Sequence, residues 1–444
     1  MNLVKGTCRI FLIFCLSLSA NYANAQLHWW IMPNVNLQGG LRFDDIFFFN
    51  VDTGLVVSGT GTICKTYDGA NYWYPKLSAG TNVYFRSLEF LDDNTTGIAG
   101  TLSGKLYRTS DAGESWADIS SAITDTGLYS KRICGLSHKG NTFWGVGWWG
   151  ASAARIYKST DAGQTWHTSY IDTNLATSLV DVTFLSFDKG FATGCRYYDG
   201  NRMESLVLKT TDGGATWSKV FADTTIAGRI WKIQFVTADT GFASIESHFY
   251  PDSVCMIKTT DGGDTWHIKS IGSIPSQQYG TQGIGFINSQ RGWVGGYYYG
   301  MFETNDGGQN WQYIPIGNEC NRYFKVDADN MYVSGDRVYR FGYFPTTKVE
   351  NQNSLNRSSN QLAAVVPNPA KNGITVSFDI GSYSNVRLEV VSLSGRRVYP
   401  VMSGYLKPGH YDYNWDGSDK PGGNYIVWLG TDEVPLVQKF TLLK

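Results

Sequence analysis

A nine-residue phrase occurs six times in this chain of 444 residues, and its spacing constrains the fold more than any other feature of the sequence. The copies read KTYDGANYW, RTSDAGESW, KSTDAGQTW, KTTDGGATW, KTTDGGDTW and ETNDGGQNW. Their aspartates are Asp68, Asp111, Asp161, Asp212, Asp261 and Asp306, which lie between 43 and 51 residues apart. A period of about 50 residues with strand-like flanks is typical of repeat architectures, in which each repeat is one unit of a larger array.

The phrase has the composition of a tight turn between two strands. Its Asp can accept hydrogen bonds from nearby backbone N–H groups, its Gly can adopt a positive φ, and its Trp can anchor the hairpin in apolar surroundings. The six phrases resemble the Asp-box, or bacterial neuraminidase repeat, of β-propellers. The first copy departs most, with Tyr72 where Thr or Ser is usual. We therefore interpret the six aspartates as structural rather than catalytic.

A second pattern precedes each phrase and consists of an apolar strand, a turn with glycine and another strand, as in LEFLDDNTTGIAG and IQFVTADTGFASI. A seventh copy, FKVDADNMYVSGDRVYRF, follows the last phrase and has no phrase of its own. The segment 29–36 echoes segment 311–318, so we expect the N-terminal strand to complete the seventh unit and protect its sheet edges. The sequence predicts an all-β chain with a seven-bladed β-propeller over residues 26–345. Repeats of this kind resemble the photosystem II assembly and stability factor family, which implies the propeller fold.

The two ends of the chain differ from the repeats. Residues 1–25 have two basic residues, a short apolar core and the triplet Ala23-Asn24-Ala25, which is the pattern of a secretory signal peptide. Residues 346–364 are rich in Asn and Ser and read as a linker. Residues 365–444 alternate as short strands with turn residues between them, which predicts a small C-terminal β-sandwich.

The order and spacing of motifs in residues 365–444, from Pro367-Asn368-Pro369 to the terminal KFTLLK, resemble the type A C-terminal sorting domain of the type IX secretion system. The resemblance implies export across the outer membrane, with the type IX secretion machinery as a partner of this segment. It also implies a secreted or outer cell-surface location in a Gram-negative bacterium.

Composition narrows the classes of function. The formal net charge is −1, which gives no support for nucleic-acid binding. No run after the signal peptide is long and apolar enough to span a membrane. The five cysteines beyond the signal peptide show no CxxC spacing and are expected in the core. The sequence leaves open whether two of them form a disulfide. The histidines do not cluster at ligand spacing, so we predict neither a metal nor another cofactor.

Two carboxylates are candidates for catalysis. Asp45 and Asp181 occupy equivalent places on the innermost strands of blades one and four, and they could face each other across the central channel. Opposed carboxylates about 6.5–9.5 Å apart support inverting glycoside hydrolysis. The alternative is that both satisfy backbone or arginine groups near the channel.

Two further sets of residues are candidates for binding. Arginines near the starts of innermost strands would make an electropositive channel mouth if they converge, unless each pairs with an acid such as Asp44 or Asp45. The loops joining the second and third strands of blades three to six are long and aromatic, which marks a binding surface unless the rings pack on one another. The arginines are Arg42, Arg86, Arg132, Arg229 and Arg322, and the predicted ligand-binding aromatics are Trp148, Trp149, Tyr197, Tyr198, Tyr250, Tyr297 and Tyr298.

Three functions fit these features. The first is a non-enzymatic propeller that binds a glycan or a protein at the cell surface. The second is a sialidase- or xyloglucanase-like glycoside hydrolase that uses Asp45 and Asp181. The third, which the photosystem family resemblance suggests, is an assembly factor for another exported protein.

Overall fold

The computed structural model describes residues 27–32, 42–123, 132–147, 153–199, 202–226, 228–247, 254–272, 280–297, 299–343, 360–381, 384–392, 398–431 and 436–444. These residues form seven four-stranded antiparallel sheets, followed by a pair of packed sheets near the C-terminus. The innermost strands of neighbouring blades contact each other in sequence around the whole ring, from blade seven back to blade one. The predicted fold class, a seven-bladed propeller followed by a small β-sandwich, is confirmed.

Within each blade the strands follow one another from the channel outwards. Blade one contains β2 (Phe43–Phe48), β3 (Gly54–Ser58), β4 (Thr62–Thr66) and β5 (Tyr74–Ser78). Blade two contains β6 (Phe85–Phe90), β7 (Gly97–Thr101), β8 (Leu106–Thr109) and β9 (Ala117–Asp118). Blade three contains β10 (Gly135–Lys139), β11 (Thr142–Gly147), β12 (Arg155–Ser159) and β13 (His167–Tyr170). A single 3-10 turn, Ser120–Ala122, follows β9 in the described residues.

The remaining blades repeat this order. Blades four to six contain β14 (Ser178–Phe184), β15 (Gly190–Asp199), β16 (Arg202–Thr210), β17 (Ser218–Asp223); β18 (Gly228–Phe235), β19 (Gly241–Ser247), β20 (Val254–Thr259), β21 (His267–Gly272); and β22 (Thr281–Phe286), β23 (Gly292–Gly296), β24 (Met301–Thr304), β25 (Gln312–Ile314). Blade seven contains β26 (Cys320–Lys325), β27 (Met331–Gly335) and β28 (Val338–Gly342), with β1 (His28–Ile31) as its outermost strand.

The N-terminal strand closes the ring, as the sequence echo predicted. β1 pairs antiparallel with β28, with Trp29 opposite Phe341. Trp29 is buried and its ring centroid lies 5.2 Å from that of Trp293 and 6.0 Å from that of Tyr323. The closing strand is therefore held by aromatic packing between blades six and seven as well as by its backbone hydrogen bonds.

Each repeated phrase forms a turn between the third and fourth strands of its blade. In blade four, Thr210 Oγ1 donates to Asp212 Oδ1 (2.7 Å) and accepts from the Gly214 amide, while Thr216 donates both its amide and its hydroxyl to the Asp212 carboxylate. Two successive residues of the turn have positive φ, here Gly213 (73°) and Gly214 (89°). The side chains before and after the aspartate thus replace the hydrogen bonds that the strands lose at the turn.

The C-terminal strands pack as two sheets. The first has the order β29 (Gln361–Leu362), β30 (Gly373–Ile380), β33 (Gly409–Asp416), and the second has the order β32 (Val398–Leu406), β31 (Ser384–Ser392), β34 (Gly423–Gly430), β35 (Leu436–Leu442). Their common core includes Phe378, Trp415, Tyr425 and Phe440. β29 lies within the segment that the sequence predicted to be a linker. The predicted signal peptide and most of the predicted linker lie outside the described residues.

The five cysteines of the described residues are all buried, and none of them forms a disulfide there. Burial raises the pKa of Cys64 and of Cys320 to about 12, so these thiols stay protonated at neutral pH. They serve as small apolar side chains of the blade cores.

We predict that Trp29→Ala lowers the free energy of unfolding by about 3–5 kcal/mol, because it leaves a cavity at the seam that closes the ring. Equilibrium denaturation of the full chain measures this loss. Tyr343→Ala, which removes an exposed ring just beyond the same blade, is the control and should change stability by less than about 0.5 kcal/mol. Equal effects of the two substitutions would contradict the closing role of Trp29.

A second prediction concerns the turn of blade four. The hydrogen bonds from Thr216 hold the pKa of Asp212 at about 2, below its ordinary value of 3.8. The stabilisation is therefore fully present above the ordinary value and is lost as the pH falls through the folded-state pKa. Asp212→Ala should lower the melting temperature by a few degrees, about 2–4 °C, at pH 7 and by much less at pH 2. Equal losses at the two pH values would contradict this role of the Asp212 carboxylate.

Candidate functional site

The innermost strands of six blades carry a bulge near their first residues, and the residues at these bulges form much of the site. At each bulge, one or two residues of the innermost strand have no partner in the register with the second strand. A bulge allows two consecutive side chains to serve the same side of a strand. The skipped residues are Asp44, Arg86, Val180, Trp231 with Lys232, Gln282 and Asn321, and all are buried.

Arg322 of blade seven joins the two candidate carboxylates. Its Nη2 lies 2.8 Å from Asp181 Oδ1 and its Nη1 lies 3.2 Å from Asp181 Oδ2, which is a bidentate pair. Its Nε lies 3.1 Å from Asp45 Oδ1. Blade one is the neighbour of blade seven, whereas blade four lies across the ring, so the pair with Asp181 crosses the channel.

Backbone amides complete the coordination of both carboxylates. Asp45 accepts from the Ile46 amide at Oδ1 and from the Leu88 amide at Oδ2, and Asp181 Oδ2 accepts from the Ile233 amide. Every oxygen of the two carboxylates therefore has a donor. This geometry matches the alternative reading of these residues, in which they satisfy arginine and backbone groups near the channel.

Arg42 and Arg86 form a second layer of the network around Asp44. Both guanidinium groups bind the Asp44 carboxylate, with Arg42 Nε at 2.7 Å from Oδ1. Arg42 Nη1 lies 3.1 Å from Glu319 Oε1, and its Nη2 donates to the skipped residues Gln282 (2.7 Å) and Asn321 (3.2 Å). A single arginine thus connects the innermost strands of blades one, six and seven.

Trp231 lies between two arginines from opposite sides of the ring. The Arg86 guanidinium is 4.9 Å and the Arg229 guanidinium 5.2 Å from its ring centroid. The Trp231 Nε1 donates to Glu246 Oε2 (2.7 Å), which also pairs with Arg229 at 3.7 Å. Burial, together with the nearby charge of Arg322, lowers the pKa of Lys232 to about 8.

Acids balance the charges of four of the five predicted arginines. Arg42, Arg86, Arg229 and Arg322 each pair with at least one carboxylate, whereas Arg132 lies half-buried three residues before β10. A strongly electropositive mouth does not follow from this arrangement. The mouth instead presents guanidinium groups whose position is fixed by ion pairs.

The described aromatic candidates pair with arginines at the same mouth. Tyr297 lies under the Arg42 guanidinium, whose carbon is 4.5 Å from the ring centroid. Tyr197 accepts a hydrogen bond from Arg229 Nη2 (2.8 Å), and Arg196 lies 5.5 Å from the Tyr198 ring. Trp148, Trp149, Tyr250 and Tyr298 lie outside the described residues.

One prediction about these aromatics is wrong. Tyr197 and Tyr198 do not lie in a loop, because β15 continues to Asp199 and pairs with β16 almost to the tip of the hairpin. The adjacent Arg196 pairs with Glu204 on the opposite strand at 3.0 Å, which explains why the pairing continues so far. Tyr198 is exposed at this hairpin, whereas Tyr197 is half-buried.

A polar cavity of about 270 Å³ lies on the other side of the Arg322 layer. Its lining includes Glu89, Ser137, Gln234, Phe324 and Lys325, from the innermost strands of blades two, three, five and seven. Glu89 Oε1 lies 2.7 Å from His138 Nδ1 and accepts a hydrogen bond from it when that nitrogen carries the proton. Burial raises the pKa of Glu89, against the opposite effect of His138.

Sequence reasoning missed Trp231, Lys232, Glu246 and Gln282. A polar or charged pair in an otherwise apolar innermost strand, such as Trp231-Lys232, was the available signal. This pair of residues can be interpreted only when the bulge is known, since in a regular strand the two side chains would lie on opposite faces.

Two other kinds of site have no counterpart in the described residues. No group of three or more His, Cys, Asp or Glu side chains there is arranged to hold a metal ion. No helix in the described part of the chain has the length and apolarity needed to cross a membrane.

Comparisons with protein families identify two parts of the chain. Residues 246–321 match the family described as photosynthesis system II assembly factor YCF48, and residues 364–442 match the secretion system C-terminal sorting domain. The family resemblances that the sequence motifs indicated are thus confirmed. The sorting domain indicates a protein handled by the type IX secretion system, and secretion or an outer cell-surface location.

Individual relatives agree with the propeller. The photosystem II assembly lipoprotein Ycf48 of Synechococcus sp. (strain CC9902) is 23% identical over 276 residues, covering 53% of this chain and 78% of the relative. The solved structure of YCF48 from Cyanidioschyzon merolae is 19% identical with a TM-score of 0.53, covering 71% of this chain and 98% of that one. A structure of YCF48 bound to D1 peptide is 16% identical with a TM-score of 0.51, covering 72% and 97%. At these identities the structures show the fold.

We predict that Arg322→Gln destabilises the chain by about 3–5 kcal/mol, because it leaves Asp45 and Asp181 buried without their cation. Equilibrium denaturation at pH 7 measures the loss. Adding Asp181→Asn to the Arg322→Gln variant removes one uncompensated charge and should restore part of the stability. A double variant less stable than Arg322→Gln alone would contradict the pairing.

Proposed function

We propose that this chain is an exported, non-enzymatic propeller that binds a segment of another protein at the mouth of its channel. The observation that carries the proposal is the set of arginine–tyrosine pairs at that mouth, Arg42 with Tyr297, Arg196 with Tyr198 and Arg229 with Tyr197. We name this set the arginine–tyrosine rim.

The chemistry of the rim suits protein recognition. Tyrosine and arginine are the side chains most enriched where protein partners bind tightly, since both offer apolar area and directed hydrogen bonds. The rim residues are fixed by acids and by one another, so little conformational entropy is lost when a ligand binds. Tyr198 is 40% exposed, which leaves its ring accessible to a partner.

The comparisons support a protein ligand over a sugar at this mouth. The structure of YCF48 bound to D1 peptide describes a propeller of similar fold with a peptide ligand. By analogy, the partner of this chain would be another exported or surface protein, and the chain would hold it during assembly or display. This joins the first and third functions that the sequence suggested.

The same geometry disfavours the hydrolase. An inverting hydrolase needs one carboxyl group that holds a proton for the leaving group and a second that activates water. Asp45 and Asp181 are both buried and share the Arg322 guanidinium, and all their oxygens accept hydrogen bonds. Every oxygen of the two carboxylates is therefore already engaged by a donor of the protein itself.

The test is site-directed crosslinking on intact cells. Replacing Tyr198 with the photoreactive p-benzoylphenylalanine in the full chain should yield, on irradiation, a defined crosslinked species that contains one partner protein. The same residue placed at Tyr313 on the outermost strand of blade six, which is 38% exposed, is the matched control and should not yield it. Identical crosslinked species from both positions would contradict a binding surface at the rim.

The partner found in this way allows a quantitative test. Tyr198→Ala with Arg196→Ala should weaken binding of the purified partner by at least about tenfold. Tyr313→Ala should leave the affinity unchanged. Release of reducing sugar by the purified protein, lost in Asp181→Asn, would instead favour the hydrolase.

A further inference from the structure

The blade-one turn carries tyrosine at three positions where none of the five other repeat turns does. Tyr67 replaces the residue before the aspartate, Tyr72 the residue before the tryptophan, and Tyr74 the residue after it. The corresponding residues of the other copies are small or polar: Ser110, Thr160, Thr211, Thr260 and Asn305; Ser115, Thr165, Thr216, Thr265 and Asn310; Ala117, His167, Ser218, His267 and Gln312. The repeat itself thus provides five internal controls.

The tyrosines do not serve the turn. In the other copies the side chain at the second of these positions donates to the aspartate, as Asn310 Nδ2 does to Asp306 Oδ2 at 2.7 Å. In blade one only the backbone amide of Tyr72 donates to Asp68 Oδ1 (2.9 Å). Blade one therefore lacks a hydrogen bond that stabilises the other turns, and the tyrosine side chains need another explanation.

The three rings form one exposed surface, which we call the blade-one tyrosine patch. The Tyr74 ring centroid lies 4.7 Å from that of Tyr72 and 5.6 Å from that of Tyr67. Tyr67 is 43% and Tyr74 46% exposed, in contrast to the buried Trp73 between them in sequence. Neighbouring exposed aromatic rings of this kind mark binding surfaces.

Charged groups hold the patch in place. The Tyr67 hydroxyl donates to Glu114 Oε1 of blade two at 2.6 Å. Lys65 and Lys76 each bind the same carboxylate at 2.6 Å, and their Nζ atoms lie 5.2 Å and 5.3 Å from the Tyr67 ring. The formal charges of Lys65, Lys76, Glu114 and the adjacent Asp68 cancel.

Strand β5, which carries Tyr74, is poorly suited to pairing with a peptide strand. Pro75 follows Tyr74 on this outermost strand and has no N–H to donate to an added strand. A register shift between Ile63 and Cys64 further distorts the pairing beside it. An extended peptide would therefore gain few backbone hydrogen bonds at this edge.

We propose that the blade-one tyrosine patch binds a neutral carbohydrate. The apolar face of a pyranose ring would stack on the exposed phenol rings, while its hydroxyl groups would bond to the tyrosine hydroxyls, Lys76 and Glu114 at the border. The absence of net charge selects a neutral sugar over an acidic one. The site lies on the outermost strand of blade one and is independent of the arginine–tyrosine rim.

The test is isothermal titration of the full chain with five neutral oligosaccharides: cellohexaose, xylohexaose, mannohexaose, laminarihexaose and chitohexaose. Binding of at least one of them is expected. The variant Tyr67→Thr/Tyr72→Thr/Tyr74→Ser, which restores residues found in the blade-four turn, should fold normally and weaken that binding at least tenfold. Tyr313→Ser, at another exposed tyrosine on an outermost strand, should leave it unchanged.

Three outcomes would overturn the proposal. One is the absence of binding to every oligosaccharide tested. Another is binding that the triple variant retains. The last is binding confined to an acidic polymer such as polygalacturonate and abolished by 0.5 M salt, which would indicate charge recognition. None of these results depends on whether a protein partner binds at the rim.

Discussion

The Arg322 guanidinium is the interaction on which the centre of the molecule depends. The strand-pairing hydrogen bonds of the seven sheets run within blades, so they do not cross the channel. Arg322 does cross it, from blade seven to Asp181 of blade four, and it also pairs with Asp45 of the neighbouring blade one. A buried ion network offsets its desolvation cost only when every charged group in it has hydrogen-bond partners. Backbone amides supply the remaining donors to Asp45 and Asp181.

This network also separates the two ends of the channel. On one side the arginine–tyrosine rim faces outwards, and on the other lies the polar cavity bordered by Glu89 and Lys325. Charged residues occupy the centre of the ring, while apolar clusters fill the spaces between blades. Stability and recognition therefore draw on different layers of the same innermost strands.

The sequence predicted the features that depend on local pattern. The six phrases and the seventh copy of the strand pattern predicted the number of blades, and the echo of Trp311 at Trp29 identified the closing strand. Both signals lie in short stretches of residues. The turn geometry also followed, since Thr210, Asp212 and Gly214 are chemically matched to it.

The site could be predicted only in part. The arginines were placed correctly at the starts of the innermost strands, but their partners depend on bulges that shift Asp44, Trp231 and Gln282 towards the channel. A one-residue shift exchanges the faces of a strand, and no propensity in the sequence marks where it occurs. The extended hairpin at Tyr198 was missed for a related reason, because its pairing rests on a contact between two strands, Arg196 with Glu204.

The closing strand has a consequence for the maturation of the chain. β28 pairs with β27 on one side and with β1 on the other, so it needs no strand from the residues that follow it. Proteolytic removal of the C-terminal segment after export would thus uncover no unpaired sheet edge in the ring and create no template for aggregation. The C-terminal domain can therefore be removed without opening the propeller, because the N-terminal strand β1 closes the ring.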